Sequence, residues 1–308
     1  MRTLHDVEHR HHGWNRDRPA LVEVAPGEEL QVVLADCFDG QLGPAADAAD
    51  VAGLQLERAN PLTGPVQVPG AQPGDALGIE VLDLEVGAVG WTTLIPGFGL
   101  LAEDFPTPHV VVSQIGADDV EVGGFARLRR WPFLGTVGLA PEASGNHSVI
   151  PPRRVGGNLD CRDVRPGATL WLPVEVAGAL LSAGDPHAAQ GDGEVCGTAV
   201  ETTARARLRL HLRPGQAPPT PRIELPAERS GRLPAQGPRC LTTGVGPDLE
   251  AAARQATRAM IDELTARHGL AAEDAYVVCS VAGHLRIAEV VDAPNWVVVL
   301  DLDLGVLT

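Results

Sequence analysis

The residues best suited to chemistry fall in three short runs rich in Asp, His and Gly. The first is Asp36-Cys37-Phe38-Asp39-Gly40-Gln41. The second joins Gly145-Asn146-His147-Ser148 to Gly156-Gly157-Asn158-Leu159-Asp160. The third runs from Gly184-Asp185-Pro186-His187 through Gln190-Gly191-Asp192-Gly193-Glu194, with Glu201 beyond it. Asp185 and His187 are two apart, so on extended backbone both side chains point to one face. A carboxylate and an imidazole on one face suit a divalent cation such as zinc. Gly191 and Gly193 let the backbone turn tightly around Asp192. Glu194 is then close enough in sequence to return to the same place, where a glutamate can deprotonate a metal-bound water. A structural reading stands beside this one. Gly-Asp-x-His can be a hydrogen-bonded hairpin loop, and Asp36 and Asp160 can each cap a turn. Glu201 either holds a ligand in place or faces outward from a strand.

What the chain lacks narrows the chemistry. Its 24 cationic side chains are all Arg. Arg is no general base at physiological pH. Ser–Ser–Lys and Cys–Glu–Lys machinery, Schiff-base chemistry and a P-loop lysine are therefore excluded. Five Cys without a CxxC argue against a disulfide framework and for a reducing, cytoplasmic setting. Cys37, Cys161 and Cys196 flank the acidic runs. A Cys nucleophile with a His partner is an alternative mechanism, and buried packing is the favoured role. His5, His9, His11 and His12 look like a metal tract, of the kind that is usually exposed and adventitious. A net charge of −16 and a pI near 5.0 repel phosphates, so neither nucleic acid nor an anionic membrane is an expected partner. The opening residues show no signal-peptide core, and no apolar run has the length of a membrane span.

These runs need elements to hold them. High Gly (35) and Pro (26) with few aromatics fit many turns and short strands. Alternation predicts two strands within 20–34 about Pro26-Gly27, and two more within 64–86. Further strands are expected near 109–115, 119–130, 133–139, 168–174, 195–212, 275–281, 285–291 and 296–302. Loop 94–109 has apolar tips that can cover a site. Loop 140–158 is Gly/Pro/Asn-rich, and 213–238 is a Pro-rich connection. One helix is clear, from the cap Asp248 through Leu249, Ala252, Ala256, Met260 and Leu264 to Gly269. The expected fold class is mainly β (α+β): a large β-sandwich or barrel-like core with one long C-terminal helix. The expected organisation is one domain over 1–308, within which 240–308 can form an α/β subregion.

The run GGNLDCRDVRPGATLWLPVEVAGALLSAGDPHAAQGDGEVCGTAVE (156–201) resembles the central signature of the acetamidase/formamidase family. So do LGTVGLAPEASGNHSVIPPR (134–153), PALVEVAPGEELQVVLADCFDGQL, GPVQVPGAQPGDALGIEVLDLEV and VVCSVAGHLRIAEVVDAPNWVV, in collinear order over nearly the whole chain. The resemblance implies hydrolysis of a small amide such as formamide or acetamide to a carboxylate and ammonia. It also implies a metal-containing, mainly-β homo-oligomer. The alternatives are a lactamase-type cyclic amide hydrolase and a non-catalytic small-molecule-binding member. Within this frame Asp36, Asp160, Asp185 and His187 are expected to ligate one or two divalent ions. Zinc comes first, with Ca, Mg or Mn also acceptable to such ligands. Glu194 is the expected base, and His147 or Asn158 the hydrogen-bond donor to the oxyanion.

Overall fold

The computed structural model describes residues 2–5, 9–226 and 238–307. Strict alternation builds its largest layer. Glu29–Leu34 and Ala204–Arg213 bury every second side chain over most of their length, which puts Arg205 and Arg207 outward and Ala206 and Leu208 inward. With Ala76–Val86 between Ala204–Arg213 and Thr169–Pro173, they form the middle of a nine-stranded sheet. Arg2–Leu4 is one edge of that sheet and His284–Glu289 the other.

A six-stranded sheet lies against it, centred on Leu181–His187 between Phe133–Gly138 and Leu62–Gln67. Val66, Leu134, Val137, Leu181 and Ala183 from this sheet share one core with Leu30, Val32, Ile79, Leu170, Leu208 and Ile223 from the larger one. The architecture is thus a β-sandwich, as expected. Every residue of Leu181–His187 is buried, because one face meets the core and the other lies under the loops of the site. A third, four-stranded sheet includes Val89–Leu94 and His109–Ile115.

The helix Leu249–His268 begins at the Asp248 cap and ends at Gly269 in the left-handed conformation (φ 71°). It lies so close to strand Arg239–Gly246 that a Cβ on Gly244 would sit 1.8 Å from the Ala252 carbonyl oxygen, so only glycine fits there.

Four expectations are corrected. Residues 275–281 are not a strand but part of a second helix, Ala272–Ala282. The apolar run AYVVCSV suits either state. Burial of Ala275 and Cys279 against Met260, Leu264, Leu300 and Leu302 decides it. The strand expected over 195–212 starts only at Ala204. Residues 195–203 turn instead, with Gly197 at φ 89°, and this turn helps build the site. The Pro-rich stretch 213–238, expected as a connection, contributes the strand Arg222–Leu225 to the inside of the nine-stranded sheet, and its residues 227–237 lie outside the described ones. The strand expected over 119–130 is a hairpin of Asp119–Val122 and Ala126–Arg129 about Gly123 and Gly124.

Candidate functional site

Leu181–His187 delivers the centre of the site. Asp185 (φ 54°) sits in the left-handed region, as do Asp160 (φ 42°) and Glu194 (φ 46°). Three carboxylates held in a sparsely populated backbone conformation mark a place where surrounding structure overrides local preference. Gly135, on the neighbouring strand, leaves room for two of them. A Cβ there would lie 2.5 Å from Asp160 Oδ1 and 2.7 Å from Asp185 Oδ2.

His187 is fully buried at the hub. Its Nε2 lies 3.2 Å from Asp185 Oδ1, 3.0 Å from Glu201 Oε2 and 3.9 Å from Asp160 Oδ1. Its Nδ1 lies 3.0 Å from Gln190 Oε1. The Gln190 amide nitrogen donates to the carbonyl of Asp160 at 2.8 Å, and this fixes the amide so that its oxygen accepts from His187 Nδ1–H. A neutral His187 therefore keeps the Nε2 lone pair for the carboxylate side, the tautomer a metal ligand needs.

Glu201 is positioned by backbone on both sides. It pairs with Trp91 through bonds of 2.9 and 3.0 Å and bridges His187. Its Oε1 accepts from Ala199 N at 2.7 Å, while the buried Oε2 faces His187 Nε2 at 3.0 Å. Asp160 Oδ1 is buried without a hydrogen-bond donor. Asp292 comes from the closing segment and accepts from Asn158 Nδ2 at 2.6 Å. Glu289 Oε1 accepts from Asp292 N at 2.6 Å, which turns the chain at that point.

The charge balance is lopsided. Burial, reinforced by neighbouring carboxylates, raises the proton affinity of Asp160, Glu194 and Asp292 well above the usual carboxylate range. Burial pushes Glu289 up to about 7. Burial opposes charge on His187, yet Glu201 and Asp185 outweigh it and hold its pKa well above the usual value. No arginine is among the described residues lining the cavity at this point. So many buried acids around one imidazole call for protons or a bound cation.

The donor set fits a cation. Asp160, His187 and Glu194 offer atoms within 4.8 Å of one another, and Cys37, Asp185 and Glu201 form a second such group. The buried, unpartnered Asp160 Oδ1 points the same way.

The cavity over these groups measures about 360 Å³. Asn60, Asn158, Asp160, Asp185, Glu194, Thr198, Glu201 and Asp292 are its polar lining. Ile95, Pro96 and Phe98 reach it from the loop whose apolar tips suggested a cover.

Of the expected site residues, Asp160, Asp185, His187, Glu194 and Asn158 come together here. Asp36 and His147 do not. Asp36 is buried beside the site, but its Oδ1 accepts from Phe38 N (2.9 Å) and Gly40 N (3.3 Å), so it caps the turn that presents Cys37 and Phe38. His147 is held by backbone pairing with Trp14, its Nε2 lies 3.1 Å from the Ala143 carbonyl oxygen, and it does not line the cavity. Cys37 does line it, but burial and the acids Glu201 and Asp185 raise its thiol pKa well above the usual value, which disfavours a thiolate. Burial pushes Cys161 up to about 12. Asn60 and Asp292 carried no local signal, since they stand outside the three runs.

Comparison with known proteins places this arrangement. An acetamidase of Mycolicibacterium smegmatis is 28% identical over 253 residues, covering 61% of this chain and 62% of the relative. A formamidase of Methylophilus methylotrophus is 26% identical over 259 residues, covering 66% and 63%. The chain thus spans less than two thirds of the length of these curated relatives. Among solved structures, an acetamidase from Bacillus halodurans superposes with a TM-score of 0.89 at 32% identity, covering 99% of this chain and 98% of that one. A gamma lactamase from Delftia acidovorans reaches 0.68 at 25% identity, covering 98% and 92%. Matched over residues 2–148 and 142–307, the chain belongs to the Acetamidase/Formamidase family.

Proposed function

We propose that this chain hydrolyses small carboxylic amides to a carboxylate and ammonia, assisted by a divalent cation, zinc in the first place. The observation that carries this reading is the buried hub of His187 with Asp160, Asp185 and Glu201, whose carboxylates line a cavity and include the unpartnered Asp160 Oδ1. His187, Asp160 and Asp185 would hold the ion, with Glu201 Oε2 beside them. A bound divalent cation lowers the pKa of water toward neutrality and polarises an amide carbonyl. Glu194 faces the cavity with raised proton affinity, so it takes the proton of the attacking water and returns it to the leaving amine. Asn158 and Asn60 line the cavity near these acids, and their amide N–H groups are the donors available to a developing oxyanion.

Two coarser features extend the reading. All five cysteines are unpaired, which supports a cytoplasmic setting. No helix among the described residues is long and apolar enough to cross a membrane. Leu100, Leu101, Phe105 and Phe125 are each more than half exposed, which supports assembly of several copies.

The test is ammonia release from formamide, acetamide, propionamide and a γ-lactam, before and after chelation and with metal restored. Release that chelation abolishes and zinc restores is the expected result. A folded, metal-loaded protein silent on the whole panel would sink the reading.

A further inference from the structure

The cavity has a mixed lining. Beside its acids and amides it is walled by the apolar side chains of Phe38, Leu56, Ile95, Pro96, Phe98 and Ile150. Its volume, about 360 Å³, equals that of roughly a dozen liquid waters at ~30 Å³ each. It falls in the range that holds ligands well above the size of acetamide. Acetamide has four heavy atoms. Placed against the acids, it would leave most of the space, and much of the apolar lining, to water.

Resting on the amidase reading, we propose that the preferred substrates are neutral primary amides whose acyl group is an apolar chain or ring of about four to seven carbons. The amide head meets the acids, and the acyl group covers Phe98, Ile95, Ile150 and Leu56. A wall of hydrocarbon rewards each methylene removed from water. It offers nothing to a charged tail, and the described residues lining the cavity include no Arg or His to pair one. The acids in the same lining repel an anionic tail further.

The measurement is kcat/KM for ammonia release from acetamide, butyramide, hexanamide, benzamide and adipamate, which has the length of hexanamide and a terminal carboxylate. Burial of about 0.8 kcal/mol per methylene corresponds to a rise of about fourfold for each one added up to hexanamide. Adipamate should fall roughly a hundredfold below hexanamide. Ile150→Trp fills space beside the apolar lining and should lower the hexanamide-to-acetamide ratio at least tenfold. Leu56→Trp does the same from an exposed position (56%) that tolerates a larger side chain. A kcat/KM that peaks at acetamide, adipamate equal to hexanamide, or an unchanged ratio in both folded variants would overturn the inference and leave the amidase reading standing. Silence on every amide would remove that reading and the inference with it.

Discussion

Gln190 decides what His187 can do. Its amide is pinned by the Asp160 carbonyl, so its oxygen must take the His187 Nδ1 proton and Nε2 is left facing carboxylates. Gln190→Met removes that acceptor without changing size much. Metal affinity should fall roughly 10- to 100-fold, the usual cost of losing a partner that orients a ligand. Titration of the apo-protein with zinc reads it directly, and an unchanged Kd would refute the tautomer argument. Cys37 makes the opposite prediction. A thiol that burial and neighbouring acids keep protonated should resist iodoacetamide at pH 7.5, and activity should survive the treatment. Stoichiometric alkylation of Cys37 with loss of activity would return the cysteine mechanism to the front. The residues that reached the site as read from the chain, Asp160, Asp185, His187 and Glu194, share short runs with glycines. Asp36 stands in the same kind of run and caps a turn instead, because an Asp two residues before a backbone N–H in a turn satisfies it equally well. Asp292 arrives from a segment 98 residues beyond Glu194, and no local pattern announces such a meeting.

At the scale of elements, the site is made by strands that come too close for side chains. Phe133–Gly138 runs beside Leu181–His187, and Gly135 is the point where Asp160 and Asp185 both lean in. Gly135→Ala would press a methyl against two carboxylates. Overpacking of this kind costs about 1–3 kcal/mol. Here the oxygens must move, so metal binding should fail at a temperature where far-UV circular dichroism still shows folded protein. Normal zinc binding by the variant would show that the carboxylates have slack. Arg286, on strand His284–Glu289, ties the far side. It pairs with Asp163, just after Asp160, and its Nη1 lies 3.1 Å from Asp192, two residues before Glu194. The Gly193 N–H donates to the carbonyl of Ala288 at 2.9 Å on the same strand. The runs carrying Asp160 and Glu194 are thus docked on the closing strand. Strand alternation in 29–34 and 204–213 was plain in the sequence because each has one wet face. The helix at 272–282 was not, since a short apolar run buried between a helix and a sheet carries no period to read.

At the scale of the whole molecule, the N-terminal residues join the two sheets of the sandwich. Arg2–Leu4 pairs with the nine-stranded sheet and Arg10–His11 with the six-stranded one. The His tract near this end was expected to be exposed. His5 is, but His11 is 5% exposed and fully bonded. Its Nδ1 donates to the Gly13 carbonyl at 2.9 Å, and its Nε2 accepts from Ser182 Oγ at 3.0 Å. Burial, with the nearby Arg18, lowers its pKa from 6.5 to about 4. The sign follows from linkage. The unfolded chain binds this proton near pH 6.5 and the folded chain only near 4, so the unfolded state holds more protons between those values. The stability tied to neutral His11 is fully present above pH 6.5 and is lost as pH falls to about 4, where the loss levels off. Its size is about 3 kcal/mol, at 1.36 kcal/mol per pKa unit. Other buried acids titrate in the same window with the opposite sign, so the effect must be isolated by a difference. Urea unfolding at pH 4, 5, 6 and 7 should show the parent losing about 3 kcal/mol relative to His11→Gln across the range. Parallel stability curves for the two proteins would mean that this strap tolerates a charge, and that the N-terminal pairing of the sheets does not depend on a neutral imidazole.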